Sequence, residues 1–486
     1  MLEISKKVFA LFNDRNVAYC SWKGNDHIAQ CLSGVGDIDV LVSQNSRLLC
    51  YSILQELNFL QCKSQFGYAI PNVEDWLGFD KLSGKMIHIH LHFSMVAGIA
   101  GLMEYDLPWN ATVLETRLLH QETGVYVIRP ELELITRYAL ISLSAKTLSI
   151  IRYRFNGYQL PEKYLKEINY LKSLCDLALF RRYVNDLISY KPNRFVDLVY
   201  KRNLTFNDFS ELRCICKKSS KKASRYSFLS KHIKIICNFI AMKCRLAIKK
   251  MSPYGIITRK TPMLSRPPII AFMGQDGAGK STVVKDIQKW LSWKLEVSQF
   301  YLGSGDHYNP WEKKLANHLH GSCNPIAKLI RKWLPFRYLS KLGKNVYETI
   351  AKANRYAAKG GIVLFDRYPQ IEYVGINDGP KIRAIIMQHA KNGLTRAIAN
   401  LYASKEEKYL QKAVAYSPDI VIKLMLSPEE SIRRKPHENY EMVKKKHEII
   451  KSLKFKKAKV YIVDATQNYE NELIEIKNII WNNIQK

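Results

Sequence analysis

Residues 274–281, Gly274-Gln275-Asp276-Gly277-Ala278-Gly279-Lys280-Ser281, fit the pattern G-x-x-x-x-G-K-[ST]. Glycines at this spacing let backbone N–H groups turn inward and wrap a phosphate. A helix beginning at the end of the loop adds the positive end of its dipole. Lys280 is placed to reach β- and γ-phosphate oxygens, and the hydroxyl of Ser281, next to Thr282, to ligate Mg²⁺. The chemistry is a grip on a nucleoside triphosphate, with ATP the expected cofactor. The pattern leaves the phosphate acceptor open, because ATPases, GTPases and kinases share it.

Two further groups of residues extend this chemistry. The apolar run "GIVLFDRY" ends in Asp366-Arg367-Tyr368. At the carboxyl end of a parallel strand, Asp366 is expected beside Mg²⁺ and its waters, and Arg367 beside an anionic group of the acceptor. In "SPDIVIKLMLSPEESIRRKP", Arg433, Arg434 and Lys435 follow a strand and a Ser-Pro turn, where cations on a lid stabilise charge developing during transfer. A basic surface helix is the plainer reading of the same residues.

Near the other end, Asp37 and Asp39 stand at i and i+2 in "GDIDVLV", so both carboxylates project from one face of a strand. That spacing suits divalent metals bridging a triphosphate. "GKMIHIHLHF" places His88, His90 and His92 on one strand face, and His90 is a candidate metal ligand alongside Asp37 and Asp39. Lys23 and Asp80 are weaker candidates for phosphate and substrate contact. The alternatives for the histidines are stacking against a phosphate or an inert face.

The elements that position these residues follow from periodicity. "PPIIAFMG" is a buried-strand pattern and "STVVKDIQKWL" a helix; "KVYIVDAT" and "NYENELIEIKNIIWNNI" close the chain as strand and helix. "MLEISKKVFALFND" has Ile4, Val8, Leu11 and Phe12 on one helical face. "PELELITRYALISLSAKTLSII" and "YLKEINYLKSLCDLALFRRYVNDLI" carry apolar residues at i, i+3, i+4 and predict long helices. The expected organisation is an α/β multidomain chain. It has an N-terminal α+β domain over 1–105, a mainly helical extension over 106–212, a basic linker over 213–262 and a C-terminal phosphate-loop domain over 263–486.

Composition bounds the partners. The 486 residues carry 75 Lys+Arg against 43 Asp+Glu, a net charge of +32, which attracts polyanions. The excess lies in the linker and in C-terminal lysines such as "VKKKHEIIKSLKFKKAK", and no nucleic-acid-binding pattern accompanies it, so nucleic acid is not an expected partner. Residues 213–260 contain no Asp or Glu. Within them, 231–250 predicts an amphipathic helix with Ile236, Phe239, Ile240 and Ala247 on one face. It is either an anionic membrane-surface contact or a solvated helix between domains. Ten cysteines without a CxxC pair and no apolar run of about 18 residues lead to the expectation of a cytoplasmic protein without a membrane span. The linker helix would allow it to lie peripheral to the inner face of the membrane.

Taken in order, "GQDGAGKST", "DRY", "PDIVIKL" with "LSPEESIRRK", and "VYIVDAT" resemble the thymidylate kinase family over residues 266–486. The resemblance implies a parallel sheet flanked by helices and phosphoryl transfer from ATP-Mg²⁺. It also places Asp276 close to the acceptor, Asp366 and Arg367 at the magnesium and the acceptor, and Arg433 and Arg434 in the lid. The acceptor segments depart from the family: "FYLGSGDHYNP", with Gly303, Ser304 and Gly305, replaces an Arg-Glu-Pro-Gly-Gly-type segment, and "PQIEYVGINDGPKIR" follows the Asp-Arg-Tyr. Over residues 15–95, Gly24-Asn25 followed by Asp37-x-Asp39 resembles nucleotidyltransferase-fold proteins, with Asn25 in place of the usual Ser. The expected function is an ATP-dependent phosphotransferase acting on a nucleoside monophosphate or another small acceptor, fused to the nucleotidyltransferase-like domain. Two alternatives stand beside it. One is a nucleotidyltransferase acting on a sugar or glycan in surface-polysaccharide synthesis, with the kinase domain supplying its substrate. The other is a nucleotide-binding sensor with weak ATPase activity.

Overall fold

Ile4, Val8 and Phe12 recur at helical spacing and are buried along α1 (Glu3–Asp14), the first element of the computed structural model. The structure describes residues 1–64, 69–156, 158–264, 266–302, 315, 317–318, 324–376, 378–389, 393–455 and 457–484. The segment holding Gly303, Ser304 and Gly305 lies outside the described residues. The chain divides into two compact units, Met1–Ala247 and Ile248–Lys486.

In the first unit the strands are β1 (Tyr19–Ser21), β2 (Asp37–Val42), β3 (Leu60–Lys63), β4 (Val73–Phe79), β5 (Met86–His92), β6 (Met95–Ala97), β7 (Tyr105–Leu107), β8 (Leu118–His120) and β9 (Val125–Val127). β6 and β7 pair separately, and the main sheet runs β3-β4-β5-β2-β1-β9-β8. β2 and β5 are parallel, with Asp37 opposite His88 and Asp39 opposite His90. β4 is antiparallel to β5 and sets Asp75 opposite His90. Short helices α2 (Ile28–Cys31), α3 (Arg47–Glu56) and α4 (Asn110–Glu115) connect these strands.

Helices α5 (Pro130–Ser144), α6 (Thr147–Asn156), α7 (Glu162–Leu174), α8 (Leu177–Leu187), α9 (Pro192–Tyr200) and α10 (Phe206–Ser219) follow. The two long helices read from periodicity are each broken. At the second break Asp176 caps α8 by accepting a 2.9 Å bond from the Leu179 N–H, a local preference that overrides the continuous apolar stripe. Cys20, Trp22 and Leu41 of the sheet region share one core with Leu132, Leu171 and Leu212 of the helices. α11 (Phe228–Met251) is the expected amphipathic helix, and its Ile236, Phe239 and Ile240 are exposed. Among the described residues no single helix is long and apolar enough to cross a membrane.

The second unit contains β10 (Thr261–Pro262), β11 (Ile269–Gly274), α12 (Lys280–Leu291), β12 (Val297–Tyr301), α13 (Pro325–Ala358), β13 (Ile362–Asp366), α14 (Lys381–His389) and α15 (Gly393–Val414). It closes with β14 (Ile420–Met425), α16 (Pro428–Arg434), α17 (Tyr440–Ser452), β15 (Lys459–Asp464) and α18 (Tyr469–Ile484). Five strands form a sheet in the order β12-β13-β11-β14-β15, with every neighbouring pair parallel. Residues Ile269 to Met273 are all buried, as a central parallel strand covered on both faces requires.

The buried carboxylate of Glu296 ties the entry of this unit to its sheet. It accepts from the N–H groups of Thr258 (3.1 Å) and Arg259 (2.8 Å) and from the Tyr356 hydroxyl (2.9 Å), and it pairs with Lys249. Burial alone would raise its pKa; the Lys249 bond and the backbone donors outweigh that and hold it below the usual 4.5. A carboxyl with a depressed folded-state pKa stabilises the fold above its unfolded value and loses that contribution as pH falls through the folded one. Glu296→Gln is therefore expected to cost about 2–4 kcal/mol in urea unfolding at pH 7. The difference from wild type should shrink below pH 4.5. An equal loss at pH 7 and pH 3 would contradict the charged network.

Candidate functional site

The loop between β11 and α12 has Gly277 at φ +88° and Gly279 at φ +76°, conformations that L side chains rarely adopt. Gly279 caps α12, so the helix dipole points into the loop. Ala278 is buried beneath it, and the Thr282 N–H bonds back to the Gly279 carbonyl at 3.0 Å. The Gln275 side chain donates to the Leu426 carbonyl and fastens the loop to the end of β14. Lys280 is itself buried, and its Nζ donates to the Gln275 carbonyl at 2.7 Å. Burial, then the neighbouring Arg367, lowers its pKa to about 8. A lysine in that position is held less firmly in its charged form than a solvated one, and an anion beside it reverses that shift.

Asp366 ends β13, directly across from Phe272 of β11. Its Oδ2 accepts a 2.6 Å bond from the Ser281 hydroxyl, while its buried Oδ1 has no partner. A buried carboxylate oxygen without a donor, beside a serine hydroxyl at a helix N-terminus, is the donor set a hard cation takes, so the residues present fit Mg²⁺.

Arg367 sits at φ +78°, a strained backbone for an arginine, of order 1–3 kcal/mol. That turn sends its guanidinium to Asp276 (3.4 Å) and Asp378 (3.9 Å). Asp276 also accepts from Lys446 at 2.9 Å. Burial opposes its ionisation, but Lys446 outweighs it and holds the carboxyl below the usual range. Asp378 is shifted the other way, raised by burial against the pull of Arg367 and Lys381. These side chains and Gly274 line a cavity of about 170 Å³ next to the loop. Residues 369–383, which follow Asp366-Arg367-Tyr368, supply Gly375, Asp378 and Lys381 to its lining.

Arg433 and Arg434 both pair with Glu430, Arg434 through its Nε at 2.8 Å, and differ in what else they reach. Arg434 donates to the Gly277 carbonyl (3.4 Å) and to the Ala465 carbonyl (3.1 Å), which sets it against the loop. Arg433 is 76% exposed and makes a bidentate pair with Glu430 on the surface of α16. Both carry over from the resemblance; the structure brings only Arg434 to the loop.

The first unit gathers a second group. Asp39 Oδ1 lies 2.9 Å from His92 Nε2, 3.3 Å from His90 Nδ1 and 3.1 Å from Lys23 Nζ. Asp37 accepts from His88 at 2.9 Å, and Asp75 meets His88 and His90 at 3.0 Å each. Burial would raise Asp39, but Lys23 and the two histidines hold it well below the usual range. His90 is opposed by burial yet carried up to about 9 by Asp39 and Asp75. His92 is pushed down to about 4 by burial. A cavity of about 320 Å³ opens above Asp37, Asp39 and His92, with Lys23, Arg137 and Lys163 on its wall.

The periodicity of single strands did not reveal Asp75, Asp378, Lys381 or Lys446. Asp75 lies on β4, whose pairing to β5 only the fold defines, and Lys446 was one lysine in a run. Asp80, a weaker candidate from sequence, is buried and accepts from the N–H groups of Ile4 (3.1 Å) and Ser83 (2.9 Å), so its carboxylate is engaged in capping backbone. Asn25 is turned to Glu133 (2.9 Å) and Ser21 (2.8 Å), fixing the turn at Gly24.

No known family profile matches the chain. It is 27% identical over 231 residues to the uncharacterized ATP-binding protein YghR of Escherichia coli K12, covering 44% of this chain and 87% of that protein. It is 24% identical over 221 residues to the uncharacterized ATP-binding protein YghS of the same strain, covering 40% and 85%. Among solved structures, deoxyadenosine kinase from M. mycoides with bound dATP is similar at 20% identity and a TM-score of 0.26, over 44% of this chain and 98% of that one.

The loop glycines separate two physical roles. A Cβ at Gly279 meets nothing within 4 Å, so Gly279→Ala carries only the backbone strain, about 1–2 kcal/mol. A Cβ at Gly274 meets the Leu424 carbonyl oxygen at 2.7 Å, which only a shift of the strand relieves. Gly274→Ala is expected to be the more destabilising in chemical denaturation. Equal losses would contradict the close approach of β11 and β14.

Proposed function

We propose that residues 263–486 form an ATP-dependent phosphotransferase, thymidylate-kinase-like in class, acting on a small anionic acceptor. The observation that carries the reading is the cavity beside the phosphate loop. A phosphate loop alone serves hydrolysis equally well; a cavity bounded by the start of the loop and by Arg367, Lys381 and Lys446 gives an acceptor a place. Three cations against Asp276 and Asp378 favour an acceptor that carries its own negative charge, such as a nucleoside monophosphate or another small phosphorylated molecule. The names of the two ATP-binding relatives support ATP as donor.

In this mechanism Lys280 leaves the Gln275 carbonyl for the β- and γ-phosphate oxygens, whose negative charge favours its protonated form. Ser281 and Asp366 would hold Mg²⁺, which when bound neutralises charge on the phosphates. Arg367 and Lys446 fix the acceptor's anionic group, and Asp276 and Asp378 orient the attacking oxygen. That oxygen forms a bond to the γ-phosphorus as the bond to the bridging oxygen breaks, and ADP leaves. Arg434, anchored at the loop, faces the charge that develops.

The test is transfer of γ-phosphoryl from ATP to a panel of nucleoside monophosphates, sugar phosphates and sugars, with products identified by mass spectrometry. Lys446→Ala should raise KM for the acceptor roughly tenfold and leave KM for ATP within about twofold. ATP hydrolysis that no acceptor accelerates would replace the phosphotransferase with a nucleotide sensor.

A further inference from the structure

We infer that Asp39, His90 and His92 of the first unit hold a divalent cation of the zinc class, a late first-row ion taking nitrogen as well as oxygen. This site is independent of the phosphate loop. Its three ligand atoms, one carboxylate oxygen and two imidazole nitrogens, already lie within 4.8 Å of one another. Mg²⁺ prefers an octahedron of oxygens, whereas imidazole with a carboxylate suits Zn²⁺, Co²⁺ and similar ions.

The surroundings supply what such a site needs beyond its ligands. His90 presents Nδ1 toward Asp39 at 3.3 Å while its Nε2 meets Asp75 at 3.0 Å. That is the carboxylate–histidine arrangement which fixes the ring and strengthens the ligating nitrogen. His88 has both ring nitrogens on carboxylates, Asp37 and Asp75, and serves to brace the cluster. His92 is 2% exposed, and its Nδ1 has no partner. Its ring therefore gives up only one bond, to Asp39, when an ion takes that place. Lys23 Nζ lies on Asp39 at 3.1 Å and acts as the resident counter-charge that an ion displaces. Three protein ligands leave a coordination position open toward the cavity of about 320 Å³. Lys163 on its wall, and Lys23 once it leaves Asp39, make an oxyanion such as a phosphate group the ligand class that completes the site, while Arg137 there is paired with Glu167.

The experiment is a Co²⁺ titration of the full-length, chelator-treated protein, followed by visible absorption, with Zn²⁺ as competitor. Ten cysteines are rival ligands, and thiolate binding has its own intense charge-transfer band, so the spectrum separates the two. About one equivalent should bind with weak bands of nitrogen and oxygen ligation and be displaced by Zn²⁺. Asp39→Asn and His92→Gln should each weaken binding roughly tenfold or more. Lys23→Ala should tighten it, an outcome that a merely structural lysine would not produce and that stands even if a ligand variant fails to fold. A thiolate spectrum, unchanged affinity in both ligand variants, or displacement by equimolar Mg²⁺ would overturn the site.

Discussion

Parallel strand pairing is the constraint on which the second unit depends. All five strands end at one edge, and the register of β11 with β13 sets Phe272 across from Asp366. Ser281 and Asp366, 85 residues apart in sequence, therefore meet at 2.6 Å. Without that register the aspartate would be a buried carboxylate with neither a donor nor a cation near it, a costly arrangement. With it, the loop, the strand-end arginine and Arg434 of α16 come together. Arg367 holds its strained backbone because its N–H is bonded to Phe272 and its guanidinium is set between two carboxylates.

The first unit solves a related problem differently. Three carboxylates, three histidines and a lysine share one patch of a sheet and are bonded to one another. The opposite shifts of His90 and His92, one raised by two aspartates and the other lowered by burial, show how finely position on a single strand divides chemically identical side chains. Both units thus gather polar clusters at strand ends and faces, where charge pairs fix the geometry.

Much of this was legible in the sequence. Glycine spacing between a strand pattern and a helix pattern locates the phosphate loop, because the loop's chemistry lies in the backbone and needs no distant partner. Asp37 and Asp39 share a face by the two-residue period alone. What was not legible depends on pairing across the chain. Asp75 enters the histidine cluster only through the register of β4 with β5, and Lys446 reaches Asp276 across 170 residues. The helix breaks near residues 145 and 175 were hidden because the apolar stripe runs on past them. Arg433 and Arg434 are adjacent in sequence, yet helical rotation turns one to the loop and the other to solvent.

The central claim is that the glycine loop and Lys280 grip the phosphates of ATP. Calorimetric titration of ATP with Mg²⁺ into the wild type and into Lys280→Ala tests it most directly. The structure predicts saturable binding by the wild type and a loss of about 3 kcal/mol or more, over a hundredfold in affinity, in the variant. Equal affinity in the two proteins, or no binding by the wild type, would contradict it.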